Sequence, residues 1–196
     1  MDKLGITLIV LVGILASMIW YGWDTYNEFV RLNEQVNQGW KQVENVYQRR
    51  HDLVSNLVET VKAYANHADK TCKSVIEARD IAAKVMAPGL INDWDRFQSF
   101  LNTQATLSSA LTKLISVAES HPSLKANENF LSLQSQFEKT ENEISVERGR
   151  YNIVVQIYNT KIKQIPGNVI ARIFNFKEKI YFKAEDAAKT VPKTMF

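Results

Sequence analysis

The sequence has few of the residues that build disulfides, zinc sites and tight turns. Its 196 residues include one cysteine, which excludes an internal disulfide and a cysteine-based zinc site. Four prolines and seven glycines are too few for the many turns of an all-β protein. The net charge of +3 is too small by itself to indicate nucleic-acid binding. These shortages favour a protein built from long helices.

Recognisable patterns for catalysis are also missing. None of the three histidines, His51, His67 and His121, has a glutamate three positions before it, so the Glu-x-x-His pairs of a di-iron bundle are absent. The sequence contains no glycine-rich phosphate loop and no G-x-S-x-G motif. Cys72 lies beside an apolar stripe, which predicts a buried, inert thiol. We therefore expect no enzyme activity, no catalytic residue, no cofactor, no metal site and no small-molecule substrate.

One long apolar run stands near the N-terminus. Residues 4–23 carry no charge, and 15 of these 20 residues are hydrophobic. A helix of this length spans about 30 Å, the thickness of the hydrocarbon core of a bilayer. Trp20, Tyr21 and Trp23 stand at its end, where interfacial aromatic residues belong. An uncleaved anchor is favoured over a signal peptide, because the run exceeds a typical h-region and no A-x-A site follows it.

The rest of the chain repeats apolar residues every seven positions, which is typical of helices that pack together. The prolines mark the ends of these helices, which we predict over residues 92–119, 127–165 and 169–176. The predicted fold is all-α, with a single N-terminal transmembrane helix followed by an antiparallel up-and-down four-helix bundle. The predicted division is residues 1–26 for the anchor, 27–168 for the bundle, and 169–196 for a short helix with a basic, aromatic tail.

The region 27–86 allows two interpretations. It can form one helix of roughly 90 Å. It can also break at residues 49–52, because basic residues suit a helix C-terminus and Asp52 is a good N-cap. The break is favoured here, since it gives four helices of comparable length, whereas an unbroken helix would outrun its partners.

Several motifs in a fixed order resemble the bacterial LemA family over nearly the whole chain. They are Tyr26-Asn27, F-V-x-L-N-x-x-V from Phe29, Trp40, R-R-H-D-L-V from Arg49, N-L-V-E-T-V-K-x-Y-A from Asn56, E-N-x-I from Glu141, R-x-R-Y-N from Arg148, Tyr158-Asn159, P-G-N from Pro166 and Tyr181-Phe182. Glu143 and Gly149 depart from the family, which commonly has basic residues there.

The resemblance implies a single-pass protein of the bacterial inner (plasma) membrane, with its helical bundle in the cytoplasm. It supplies no catalytic residue set. The charges flanking the span favour the same orientation only slightly, with Lys3 before the span and Arg31 and Lys41 after it. The side of the membrane that holds the bundle is therefore left open by the residues themselves.

Charged residues interrupt the apolar stripes of two predicted helices. An unpaired buried charge is costly, so a buried Arg50 needs a carboxylate partner. We predict an ion pair that links Arg49 or Arg50 with Glu141 or Glu147, as part of a structural polar layer. The layer comprises Arg49, Arg50, Asp52, Glu141, Glu147 and Arg148. The Tyr-Asn pairs at Tyr26, Tyr151 and Tyr158 are interpreted as bundle architecture, with asparagines that bridge helices.

The C-terminal tail differs in charge from the rest of the chain. Residues 161–196 have eight basic and three acidic side chains, whereas residues 24–160 have fifteen and seventeen. Two interpretations remain: the tail's aromatic residues cap the bundle, or they lie on anionic lipid. The candidate membrane contacts, with those of the span, are Trp20, Tyr21, Trp23, Phe174, Phe176, Lys177, Lys179, Tyr181, Phe182 and Lys183.

These patterns favour a non-enzymatic, membrane-anchored helical scaffold that acts at the membrane surface. The alternative is an adaptor or regulatory subunit of a membrane enzyme such as a protease. The expected partners are the lipid bilayer and unidentified proteins, with nucleic acid excluded. Uncovered stripe surface would also allow a homo-oligomer.

Overall fold

A computed structural model describes residues 3–64 and 69–183, and these contain helices and irregular segments but no strand. The helices are α1 Lys3–Tyr64, α2 Asp69–Val85, α3 Trp94–Glu119, α4 Pro122–Lys125, α5 Glu128–Lys163 and α6 Gly167–Ile173, with a 3₁₀ helix at Leu90–Asn92. Outside the described residues lie Ala65, which ends a family motif, His67, and the tail from residue 184 onwards. The prediction of an all-helical chain is confirmed.

Helix α1 is continuous, so the favoured break at residues 49–52 is wrong. Asp52 does not cap a new helix; its carboxylate accepts a hydrogen bond of 3.0 Å from Gln48 Nε2, one turn earlier in the same helix. The C-terminal end of α1 also remains covered by other helices. Val54, Leu57 and Val61 are buried in a core shared with α2 and α3.

Local signals fix the ends of the later helices. The carboxylate of Asp93 accepts from the backbone N–H of Arg96 at the start of α3, and the Asn127 side chain accepts from that of Phe130 at the start of α5. Gly167 begins α6 where the chain passes very close to itself, because a Cβ there would lie 2.5 Å from the Lys161 carbonyl oxygen. This glycine is therefore needed for close approach.

Helices α1 and α5 pack antiparallel over most of α5. Near the membrane end of this pair Glu28 meets Lys161, and further along α1 Arg49 meets Glu143. Helix α2 packs against α1 and α3, whereas α6 packs against α1 and α5. We call these elements, without the apolar first part of α1, the helical body.

The helical body has two hydrophobic cores. The core nearer the apolar first part of α1, which we name the membrane-proximal core, contains Phe29, Trp40, Phe97 and Tyr151. The farther core contains Val61, Cys72, Leu111 and Phe130. Buried polar side chains lie between them along α1, at Arg50 and His51. Apolar residues near the helix ends are exposed instead of buried at Tyr64, Trp94 and Ile165.

Candidate functional site

Arg50 lies at the centre of a buried polar cluster. Its side chain is only 2% exposed, and it joins α1 to α3 and α5. Nη1 donates to Ser108 Oγ and to Glu141 Oε1, each at 2.9 Å, and Nη2 donates to Gln104 Oε1. The guanidinium carbon also lies 5.1 Å from the centroid of the Tyr47 ring. The buried charge therefore has the carboxylate partner that its burial requires.

The structure brings Arg50 and Glu141 together, whereas Arg49 has a different partner. Arg49 Nη1 lies 2.6 Å from an oxygen of Glu143, a residue absent from the predicted layer. Arg49 is 61% exposed, so this pair is screened by solvent and contributes little to stability. The two adjacent arginines therefore occupy very different environments.

The remaining residues of the predicted polar layer do not join Arg50 in its direct contacts. Glu147 pairs with Arg150 on its own helix, at 2.7 Å. The Arg148 guanidinium lies over the ring of Phe182, 4.6 Å from its centroid. Asp52 is exposed and bound by Gln48. The predicted layer is therefore reduced to one buried pair.

Sequence reasoning missed the two partners of Arg50 on α3, Gln104 and Ser108. We define the polar cluster as Arg50 and His51 of α1, Arg79 of α2, Gln104 and Ser108 of α3, and Glu141 of α5. A signal for Gln104 was present, because it interrupts the buried positions Phe100 and Leu107 of the α3 stripe. Arg79 and Ser108 carry no comparable signal, since they border the stripes of their helices.

His51 is buried and held in its neutral form. The pKa of His51 is lowered from 6.5 to about 4. Desolvation by burial is the largest cause, followed by the nearby guanidiniums of Arg50 and Arg79. Asp52 and Gln104 oppose the shift but do not outweigh it. The electrostatic potential at His51 is therefore positive.

The stability of the fold is expected to depend on His51 in mildly acidic solution. Because the folded pKa of about 4 lies below the unfolded value of 6.5, the unfolded chain binds the proton first as the pH falls. The contribution is absent above pH 6.5, and between pH 6.5 and 4 it lowers the free energy of unfolding by about 3 kcal/mol. Urea unfolding of wild type and His51→Leu at pH 7 and pH 5 measures it. Equal pH dependence of both proteins would contradict the assignment, and His121→Gln is the control.

An extended segment after α6, residues 174–183, lies along α5, and we call it the C-terminal strap. Asn159 donates to the Lys179 carbonyl oxygen at 2.9 Å and accepts from the Lys179 N–H at 2.8 Å. Asn152, seven residues earlier, makes the same pair of bonds with Phe182, at 2.8 and 2.9 Å. Each asparagine amide thus pairs with the strap backbone as a neighbouring β-strand would. Asn152 and Asn159 therefore have the structural role that was predicted, but they bind the strap and do not bridge helices, which corrects that detail.

Aromatic side chains hold the strap at both of its ends. Phe176 stacks on Phe29, with ring centroids 5.0 Å apart. Phe182 is 4% exposed and packs against Trp40, Phe97 and Tyr151 at centroid distances of 5.1–6.0 Å. The prediction that Phe182 contacts the membrane is therefore wrong, because its ring completes the membrane-proximal core.

The other candidate membrane contacts divide along the strap. Phe174 packs on Tyr26, close to the end of the apolar run, and Lys177 is exposed. From there the strap rises from the level of Phe29 to that of Trp40, about 16 Å along α1. It carries Lys179, Tyr181 and Lys183 with it; the Lys183 ammonium lies over the Trp94 ring, and Lys179 donates to Asn92.

Helix α6 meets α1 where the apolar run ends. A Cβ at Gly22 would lie 3.7 Å from the Ile170 side chain. A groove with an almost wholly apolar lining runs between them, bordered by Ile14, Met18 and Tyr21 of α1 and by Pro166 and Val169 near α6. The outward side of α6 is apolar too, with Ile173 66% exposed. Trp20 and Trp23 are exposed at the same level of α1.

Neither a reactive thiol nor a metal-binding group is found among the described residues. Cys72 is buried, as predicted, and desolvation raises the pKa of its thiol. Within residues 3–64 and 69–183, no three His, Cys, Asp or Glu side chains lie close enough to hold a metal ion. The buried polar cluster and the exposed apolar side of α6 are therefore the two candidate functional features.

Together these features define a class: a helical protein in which one helix, long and apolar enough to cross a membrane, continues directly into a packed helical body. The family follows from a comparison of the sequence with known families. The model of the LemA family matches residues 39–196, most of the chain. The chain belongs to the LemA family, as the sequence motifs predicted.

The chain is similar to three magnetosome proteins of two bacteria. The chain is similar to magnetosome proteins MamQ 1 and MamQ 2 of Paramagnetospirillum magneticum, each 24% identical over 202 residues, or 94% of this chain and 73% of the relative. It is also similar to magnetosome protein MamQ of Magnetospirillum gryphiswaldense, 24% identical over 204 residues, or 95% of this chain and 74% of the relative. The likeness thus includes the apolar N-terminal region.

Proposed function

We propose that this protein is a non-enzymatic, single-pass membrane scaffold whose helical body rests on the bilayer through a second contact, made by α6. The position of α6 carries this proposal. Because Ile170 packs beside Gly22, the exposed apolar side of α6 lies level with Trp20 and Trp23. Tryptophans prefer the headgroup region of a bilayer, so α6 would lie in that same region.

The charge of this region supports contact with anionic lipid. Residues 161–183 carry six basic side chains and one acidic side chain, so the excess of five positive charges in the C-terminal part lies within this segment. Arg172 and Lys177 are exposed beside the apolar residues of α6. Basic side chains near a membrane surface are attracted to anionic headgroups by about 1 kcal/mol each.

The continuity of α1 would fix the orientation of the helical body relative to the membrane. No linker separates the apolar run from the helical body, so the tilt of the span sets the direction of the body. We infer that α1, α2, α3 and α5 form an up-and-down four-helix bundle beyond the membrane. The ion pairs Glu28–Lys161 and Arg49–Glu143 support the antiparallel packing of α1 and α5, and the packing of α2 against α1 and α3 supports the other half. The proposal places the bundle in the cytoplasm, which a reporter fused after Phe196 tests.

Depth-dependent fluorescence quenching tests the α6 contact in the full-length protein. A bimane probe is attached at Ile173→Cys in a Cys72→Ala background, and the protein is reconstituted into liposomes with lipids brominated at chosen acyl depths. We expect quenching to be strongest with shallow bromines. It should increase when phosphatidylglycerol is added to phosphatidylcholine.

The matched control is a probe at Val146→Cys, another exposed apolar position, which lies on α5 about 22 Å along the helix from Lys161. This probe should show little quenching at any bromine depth. Equal quenching at the two positions, or none at Ile173→Cys, would overturn the proposal that α6 lies in the interface.

A further inference from the structure

Four buried side-chain nitrogen atoms in the described part of the chain have no hydrogen-bond partner, and all four belong to the polar cluster. They are Arg50 Nε, His51 Nε2, Arg79 Nε and Gln104 Nε2. Buried polar groups are nearly always paired, so a group of orphans in one place requires a physical cause. They come from α1, α2 and α3, three helices that meet at His51.

The orphaned atoms are short of acceptors. The Nε atoms of arginine and the amide nitrogen of glutamine can only donate, whereas His51 Nε2 depends on the tautomer. Among the acceptors at hand, Glu141 and the oxygen of Gln104 accept from Arg50. Neutral His51 has one acceptor nitrogen, which can take only one of the remaining donors, the Gln104 amide or an arginine Nε. Asp52 accepts from Gln48 and points to solvent. A ligand that fits these atoms must therefore accept hydrogen bonds.

The positive charges around His51 indicate which kind of acceptor is favoured. Arg50 and Arg79 bring two positive charges to His51, and their combined effect there exceeds that of Asp52. Glu141 compensates Arg50, whereas the Asp80 carboxylate lies 3.5 Å from Arg79 and is more than half exposed. A desolvated guanidinium with surplus donors favours an anion over a neutral acceptor.

We propose that the polar cluster binds a small inorganic anion, of the size of chloride or phosphate, between α1, α2 and α3. Arg79 Nε, Arg50 Nε and the Gln104 amide would donate to it, and His51 would form one wall. Arg79 is 34% exposed, so the anion can enter past its side chain from the surface of α2. The bound anion would tie the α2–α3 hairpin to α1 between the two hydrophobic cores. This site is independent of the membrane contact proposed above.

Thermal unfolding of the full-length protein in detergent tests the site. Sodium chloride and sodium phosphate are titrated against sodium gluconate at constant ionic strength. We expect a saturable rise of the melting temperature with chloride or phosphate, of roughly 5 °C at a hundredfold excess over Kd. The two titrations together identify which anion the site prefers.

Arg79→Gln removes one donor while leaving Arg50 paired, and should shift the titration at least tenfold toward weaker binding. Arg150→Gln makes the same charge change on the exposed surface of α5 and should keep the wild-type response. Anion addition should also shift the NMR signals of the Gln104 side-chain amide and the His51 ring. Identical behaviour in chloride, phosphate and gluconate, or equal responses of wild type and Arg79→Gln, would overturn the proposal.

Discussion

Replacing Arg50 by alanine is expected to lower the free energy of unfolding by about 3–5 kcal/mol, the range for breaking a buried ion pair. The substitution leaves a cavity where a large, fully buried side chain stood. It also leaves the Gln104 oxygen and the Ser108 hydroxyl without the donor that they share. Urea unfolding of the purified protein, followed by circular dichroism, measures the loss.

Arg49 provides the matched control for this prediction. It is the preceding residue of the same helix and also pairs with a glutamate of α5, but its side chain is largely exposed. Arg49→Ala should therefore cost less than about 1 kcal/mol. Similar losses for the two alanine variants would contradict the central position given to Arg50.

A double variant separates the charge of the pair from its shape. Glu141→Leu alone leaves the buried Arg50 guanidinium without its carboxylate, and should be destabilising by about 3 kcal/mol. Combining it with Arg50→Met removes both charges and retains much of the volume, so most of that loss should be recovered. A double variant less stable than Glu141→Leu would indicate that the hydrogen bonds to Ser108 and Gln104 matter more than the ion pair.

Arg50 shows how far an apolar stripe predicts a buried site. Its position between apolar residues predicts a buried charge with a carboxylate partner, and Glu141 is among the candidates that the same argument selects on the third long helix. The partners from α3, Gln104 and Ser108, depend on how that helix lies against α1. Spacing along one helix does not contain that information.

The continuity of α1 was missed for a related reason. Two arginines, a histidine and an aspartate are a local signal for a helix end followed by a helix start. Burial of Arg50 and His51 against three other helices overrides that signal. Contacts that form only in the folded state thus decide whether α1 ends at Arg50 or continues to Tyr64.

The sequence left two roles open for the strap, because its composition suits both a cap on the bundle and a membrane segment. Aromatic residues interleaved with lysines are typical of an interfacial peptide, yet the same alternation suits an extended segment with one buried side. The decisive partners are Asn152 and Asn159, which lie seven residues apart on one side of α5. Their spacing indicates a shared helix face but not what that face binds.

The strap also connects the region around α6 with the core that contains Trp40. Its first residue, Phe174, lies beside Tyr26 at the end of the apolar run, and its buried anchor, Phe182, lies beside Trp40 in the core. Any displacement of α6 by the membrane would therefore pull on the membrane-proximal core. The asparagine pairs would resist that pull.

Phe182→Ala is expected to release the distal half of the strap. Burying a phenylalanine in a core contributes about 3–5 kcal/mol, and few other side chains of the strap are buried. The amides of Lys179 and Phe182 donate to Asn159 and Asn152, so their hydrogen exchange reports directly on the release. A loss of about 3 kcal/mol in local stability makes both amides exchange about 100-fold faster.

Tyr181→Ala is the matched control, because it removes the neighbouring aromatic ring, which is largely on the surface. It should leave the exchange of both amides within a few-fold of wild type. Asn159→Asp adds a finer test: the carboxylate still accepts from the Lys179 N–H but no longer donates to the Lys179 carbonyl, so the strap should loosen at Lys179 more than at residue 182. If the two amides keep their wild-type protection in Phe182→Ala, the hydrogen bonds from Asn152, Asn159 and the Tyr151 hydroxyl are enough to hold the strap, and Phe182 is not its anchor.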